Sequence, residues 1–178
     1  MSPGGHLATT AAACAGVAAL TGSWTLTAAV AAGGVLIDVD HAIDYVVFDG
    51  QRRLTPDAFL RYYLEGRMRR AVLVLHSYEL FVVLGALAWW TQSLWVWGYV
   101  WGALMHLALD LCFNGEVTPR SISAFYSFGY RLAHRFDARQ LLGDTATVAP
   151  ASFWAAFFAG ARRPGRAAAT WLRPKPSC

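Results

Sequence analysis

Four apolar runs fill most of the first two-thirds of the chain: residues 6–22, 24–37, 71–90 and 94–113. The last two hold 20 residues each, the length a helix needs to cross a hydrocarbon core of ~30 Å. The second holds 14, roughly 21 Å as a helix, and reads as a short element embedded in a bundle. Short polar turns at Gly22 and Ser23, and at Thr91 to Ser93, join the runs in pairs and predict antiparallel neighbours. Between the pairs the pattern changes. Thr55, Pro56 and Asp57 supply a cap, a proline at the first helical position and an acid in the first turn. Phe59, Tyr62, Tyr63 and Met68 then mix with Arg61, Arg67, Arg69 and Arg70, as in a helix lying in a membrane interface. Ile122, Phe125, Gly129, Leu132 and Phe136 make a second such stripe, with Arg131, His134 and Arg135 beside it. Residues 153–161 are apolar but too short to span.

Composition supports a membrane reading. Of 178 residues, 56 % are hydrophobic and 15 % charged, too few charges to cover a soluble monomer of this size and too many aromatics for a disordered chain. Three cysteines make no disulfide framework. The 15 basic residues fall in two blocks, six between Arg52 and Arg70 and nine between Arg120 and Lys175. Positive charge marks the cytoplasmic side. The distribution therefore predicts a polytopic protein of the cytoplasmic (inner) membrane with both termini inside. Trp24, Trp89, Trp90, Trp95 and Trp97 then cluster at the outer ends as an aromatic belt. No Lys or Arg precedes the first run, which argues against a cleavable signal peptide. The expected class is an all-α membrane bundle of about four spanning helices with interfacial amphipathic helices. Its expected parts are an embedded domain, 1–115, that includes the interfacial segment 52–70; a cytoplasmic or interfacial helical region, 116–161; and a basic tail, 162–178, drawn to anionic lipid. Membrane lipid is the expected partner, and no nucleic acid is expected.

Ionisable groups inside spans are costly and usually functional. Here they are His6, Asp38, Asp40, His41, His76, Glu79, His106 and Asp110. His6 opens the first run; Asp38, Asp40 and His41 close the second; His76 lies six residues into the third; His106 and Asp110 lie in the last two turns of the fourth. Under the charge-derived topology, all four helices deliver a His or Asp near one plane of the inner leaflet. His106 and Asp110 are i, i+4 and share a face with Gly98 and Gly102, where a neighbouring helix can approach closely. Imidazole plus carboxylate from facing helices is a common way for bundles to hold a metal, and this donor set suits zinc as well as manganese or iron. Taken singly, each of these residues also fits a structural interhelical hydrogen bond. No Asp, Glu, Lys, Arg or His occurs between Leu7 and Ile37 or between Leu80 and Met105, so the outer half of the bundle is dry. That disfavours a transporter or proton relay, which needs polar groups across the bilayer.

Gly5 with His6, the run Asp38, Val39, Asp40, His41, the pair His76 and Ser77, and Gly102 with His106 and Asp110 together resemble the YdjM-like inner-membrane metal-dependent hydrolases. That family is thought to be distantly related to zinc-dependent phospholipase C and to zinc nucleases of single-stranded nucleic acid. The resemblance covers roughly residues 4 to 115. Three positions depart from it: Ile37 stands where similar chains have Pro, Ala71 and Val72 replace a His-Arg pair, and Met105 replaces a Ser. The resemblance implies metal-assisted hydrolysis, with a phosphoester of a lipid or lipid-linked molecule as the expected substrate. The expected ligands of a divalent metal, zinc first, are His6, Asp40, His41, His76, His106 and Asp110. Asp38 or Glu79 is the expected proton acceptor. A non-catalytic membrane scaffold holding a structural metal is the alternative.

Overall fold

The computed structural model describes residues 1–114, 121–143 and 147–161, so the tail expected at 162–178 lies outside the described residues. Among the described residues the chain is helical and has no strand; an isolated antiparallel bridge joins Arg70 and Asp137. Helix α1 (Pro3–Thr21) begins on Ser2, whose hydroxyl accepts from the Gly5 amide, and ends at Gly22 in the left-handed region. Helix α2 (Trp24–Leu36) starts at once on Ser23, which accepts from Leu26 N–H. Helices α5 (Tyr78–Thr91) and α6 (Leu94–Phe113) are likewise joined by two residues, left-handed Gln92 and then Ser93, without a capping bond to the serine hydroxyl. Helix α2 packs along α6, α1 packs on α2 and also touches α6, and α5 packs on α6. The tightest seam is α2 with α6: a Cβ at Gly102 would fall on the Val30 carbonyl, and one at Gly33 on the Tyr99 carbonyl.

Two helical stretches are long and apolar enough to cross a membrane, Trp24–Phe48 and Leu94–Phe113. The first corrects the expected 14-residue run. Helix continues past Ile37 through α3 (Val39–Ile43) and a π-helical turn at Asp44–Phe48, for 25 residues in all. The expected 20-residue third span is corrected in the opposite sense, because α5 has only 14 residues.

Residues 71–77 are not α-helical; they run into a single 3-10 turn, Val74–His76, with Leu73 at φ 43°. Their backbone is held by side chains instead. Asp44 accepts from Val72 N–H (2.7 Å) and Leu73 N–H (3.2 Å). Asp40 accepts from Leu75 N–H (2.9 Å) and His76 N–H (3.1 Å). Arg131, fully buried, donates to the carbonyls of Val72, Leu73, His76 and Phe125. An irregular buried segment survives only when its polar groups are satisfied, and here one guanidinium and two carboxylates do so.

The remaining helices are short: α4 (Pro56–Leu64), α7 (Ile122–Phe125), α8 (Phe128–Ala133), α9 (Ala138–Leu142) and α10 (Phe153–Ala159). They gather at the end of the bundle opposite the two tight turns. Helix α10 packs on α1 and α4, and Ser2 Oγ donates to the Phe158 carbonyl. The outward faces are apolar, with Leu20, Trp24, Val82, Trp89 and Trp90 all more than 70 % exposed. His6, Asp40, His76, His106, Asp110 and Arg131 are all buried. Around these groups the interior is apolar, with Ile37, Leu73, Phe81, Leu107 and Leu141 among its buried side chains.

Candidate metal centre

The α2–α6 seam brings the last turns of both helices together, and the irregular segment 71–77 adds a third wall. His106 projects from α6, and its ring is set by a hydrogen bond between Nδ1 and the Gly34 carbonyl (2.9 Å). A carbonyl only accepts, so Nδ1 is the donor in that bond, and Nε2 is the ring atom turned toward the carboxylates. His76 is fixed in the same way: Nδ1 lies 3.0 Å from both carboxylate oxygens of Asp40, and the buried Nε2 has no hydrogen-bond partner. Both Nε2 atoms face the same two carboxylates. His106 Nε2 is 3.3 Å from Asp38 Oδ1 and 3.7 Å from Asp110 Oδ2. His76 Nε2 is 3.5 Å from Asp38 Oδ1 and 3.7 Å from Asp110 Oδ2.

Donors held tetrahedrally at 2.0–2.1 Å around zinc are ~3.3 Å apart. The observed separations need only a few tenths of an ångström of contraction to match. The residues therefore fit a divalent ion, and the orphaned His76 Nε2 is the strongest sign of it.

Two more histidines border this set. His6, from α1, stacks on His106 with ring centroids 3.7 Å apart, and its Nε2 lies 2.9 Å from Asp110 Oδ1. His41 Nε2 is 3.8 Å from Asp38 Oδ1, and its carbonyl accepts from the Tyr63 hydroxyl. Asn114 Nδ2 donates to Asp110 Oδ1 (2.6 Å). The cluster forms one wall of a cavity of about 400 Å³, whose other walls carry Phe59, Leu64, Met68, Phe113, Phe125 and Leu142. Tyr63 and Tyr126 also line it, and burial pushes both phenols well above their ordinary value, so they remain neutral donors. Burial lowers the Arg131 guanidinium from its ordinary value. The group stays a cation, because an arginine begins far above neutrality.

Of the eight residues singled out from the sequence, seven meet here: His6, Asp38, Asp40, His41, His76, His106 and Asp110. Within that group Asp38 has the most open side chain, 43 % exposed. Asp40, expected to be a ligand, turns its carboxylate to His76 Nδ1 and to two backbone amides. Glu79 is the eighth, and its expected place near the others is corrected. The helix starts only at Tyr78, and Glu79 faces away, exposed, accepting from Ser127 Oγ and from Phe128 and Gly129 N–H. Its carboxylate satisfies the first amides of α8.

Sequence reasoning missed Asp44 and the role of Arg131. Asp44 repeats the Asp40 position one helical turn later, a usable signal. Arg131 gave none, because its four acceptors are backbone carbonyls, three of them more than 50 residues away. Compared with protein-family models, curated proteins and solved structures, the chain finds no match.

Proposed function

We propose that this protein is a multi-pass membrane hydrolase that uses a divalent metal, zinc first, to cleave a phosphoester of a lipid or lipid-linked molecule at the cytoplasmic leaflet. One observation carries the reading: His76 Nε2, buried and unpartnered, points with His106 Nε2 at Asp110 and Asp38 on the wall of a cavity. In this reading His76, His106 and Asp110 hold the ion, a three-ligand set that leaves a position open, as in catalytic zinc sites. When bound, such an ion acidifies water toward neutrality and polarises the scissile group. Asp38, the carboxylate most open to the cavity, accepts the proton. Asp40 orients His76 through Nδ1, as carboxylates commonly do behind a ligating histidine. His6 orients Asp110, and His41 stands beside Asp38 to pass the proton on.

The apolar walls of the cavity support a substrate with a hydrocarbon portion. The exposed tryptophans at the two tight turns, the two span-length helices and the charge asymmetry support four passes with both termini inside. A second reading, a structural metal without catalysis, is favoured by one observation. At the positions of the His-Arg pair stand Ala71 and Val72, both buried and unable to ligate.

The test is metal content and activity on the detergent-purified protein. His106→Ala and Asp110→Ala remove the ion, while His134→Ala retains it. Asp38→Asn keeps the ion and loses roughly 10²–10⁴-fold in activity on phospholipid in mixed micelles. Metal-loaded protein inert on phosphodiester, phospholipid, ester and amide substrates would give the scaffold reading the better claim. Retention of metal by His106→Ala would refute the site itself.

A further inference from the structure

A second cavity, of about 570 Å³, shares no lining residue with the one at the histidines. Its lining includes Arg69, Arg70, Arg135, Gln140, Asp49 and Asp137. The arginines come from the two separate basic blocks. The chain joins those blocks through the Arg70–Asp137 bridge, with Ala71 N–H donating to the Phe136 carbonyl and Ala138 N–H to the Arg69 carbonyl (2.9 Å each). Three guanidinium groups face two carboxylates in this lining, an excess of one positive charge, and the carboxylate oxygens are turned toward hydrogen-bond donors of the chain itself. Asp49, 1 % exposed, accepts from Arg69 N–H, Arg70 N–H and the Tyr62 hydroxyl. Asp137 accepts from Gln140 N–H at the start of α9. Arg69 donates to the Asp49 carbonyl, whereas the side chains of Arg70 and Arg135 make no hydrogen bond or ion pair among the described residues.

The backbone that presents Arg135 is strained. Arg135 and Phe136 are consecutive non-glycine residues at φ 56° and 57°, pinned by bonds from their amides to the Leu132 and Arg131 carbonyls. Left-handed geometry crowds a residue that carries a Cβ, and such strain tends to persist where a side chain has work to do. A net positive lining, with two guanidinium groups whose donors are unengaged among the described residues and acids whose oxygens are turned to other donors, is suited to an anion.

We propose that this second cavity binds a phosphate group, gripped by Arg70 and Arg135 with Arg69 and Gln140 at its sides. Planar guanidinium groups match phosphate oxygens in pairs. Phe48, half-exposed, lies at its rim, where the span-length stretch Trp24–Phe48 ends, so a lipid headgroup and a free phosphate can both reach it.

The test uses the full chain and does not depend on the metal centre. Inorganic phosphate is titrated calorimetrically into lipid-free detergent micelles. Separately, co-purified lipid is measured by mass spectrometry after reconstitution in phosphatidylcholine nanodiscs doped with phosphatidylglycerol. Arg70→Gln and Arg135→Gln are each expected to weaken phosphate binding on the order of tenfold. Arg52→Gln, in the same basic block but outside the cavity lining, leaves it unchanged. Arg70→Lys and Arg135→Lys keep the charge, fall between, and carry the comparison if a Gln variant fails to fold. Phosphatidylglycerol enrichment lost in the Arg70→Gln/Arg135→Gln double variant assigns the group to a lipid headgroup. Phosphate binding without enrichment assigns it to a soluble ligand. Absence of both in the wild-type protein, or an equal loss on Arg52→Gln, overturns the proposal.

Discussion

The two ends of the helical bundle solve different problems. At one end, α1 turns into α2 and α5 into α6 through two-residue connections, and the backbone there is satisfied by ordinary caps and i, i+4 bonds. Helix geometry suffices, and the side chains can be as apolar as the surroundings require. At the other end the helices loosen: Trp24–Phe48 passes through a π turn, and residues 71–77 leave the α-helix altogether. That departure swings His76 into line with His106 and Asp110, at the cost of a stretch of backbone that water does not satisfy. The polar side chains at this end therefore have two jobs, facing the cavity and holding the backbone that positions them. Loosened turns of this kind recur at functional sites for the same reason.

The sharpest way to break the contrast is to remove the side chain that makes the irregular segment possible. Arg131→Met leaves four carbonyls without their donor inside the fold. The expected loss is at least ~3 kcal/mol, read as a large fall in thermal midpoint, together with loss of bound metal as His76 drifts. Arg131→Lys is not expected to rescue, because a compact ammonium cannot span carbonyls from four residues. If Arg131→Met folded and held metal as the wild type does, the irregular segment would owe its shape to packing alone.

The next effect falls on the α2–α6 seam, which both ends share. Gly102→Ala drives a methyl group into the Val30 carbonyl. It should cost about 1–3 kcal/mol and weaken the metal site as well, because it separates the two helices just above His106. Gly85→Ala, with open space at its Cβ, is the matched control and should be neutral or slightly stabilising. Within the cluster, Asp40→Asn keeps the shape but weakens the carboxylate behind His76. Metal affinity is then expected to fall 10- to 100-fold without loss of the fold, measured by competition with a chelating dye.

How much of this was legible before the structure follows from what hydropathy can register. The apolar runs and their two tight turns are visible because each needs only local sequence. The meeting of His6, Asp38, His41, His76, His106 and Asp110 is visible because two tight turns make each helix pair antiparallel and so bring the ends that carry these residues to one side. Residues 71–77 read as helix in sequence because Ala, Val and Leu are apolar in any conformation, and the side chains that hold them in their irregular form, Asp40, Asp44 and Arg131, lie 28 or more residues away. The misplacement of Glu79 follows from that error. Its expected role as proton acceptor assumes a continuous helix through 71–90, and the break before Tyr78 turns it outward to α8. The length of the second helix was underestimated for the opposite reason: Asp38, Asp40 and Asp44 look like a polar exit, yet their carboxylates point inward to His76, His106 and the 71–77 backbone.

The smallest expected effect lies at the tight-turn end, where the two connections differ by one residue. Both helices that enter the turns end on a left-handed residue: Gly22 at φ 64° after α1, and Gln92 at φ 49° after α5. Each amide closes its helix on a carbonyl four residues back, Ala18 and Ala88, at 2.9 Å. Glycine adopts this conformation freely, whereas a residue with a Cβ pays for it in steric crowding. Gln92→Gly relieves that crowding but loosens the unfolded chain and forfeits the bond from Gln92 Nε2 to the Trp89 carbonyl, which is exposed and weak. The net expectation is a gain of up to about 1 kcal/mol. Gly22→Ala runs the other way, losing about 1 kcal/mol, with nothing within 4 Å of the new methyl group to confuse the comparison. Neither change should alter metal content, since no residue of the cluster touches these turns. Thermal melts paired with metal analysis on the two variants decide it. Opposite shifts with constant metal would mean that the turns set stability independently of the centre. A change in metal content on either would mean that the two ends are coupled through α1 or α6, and the contrast between them would no longer hold.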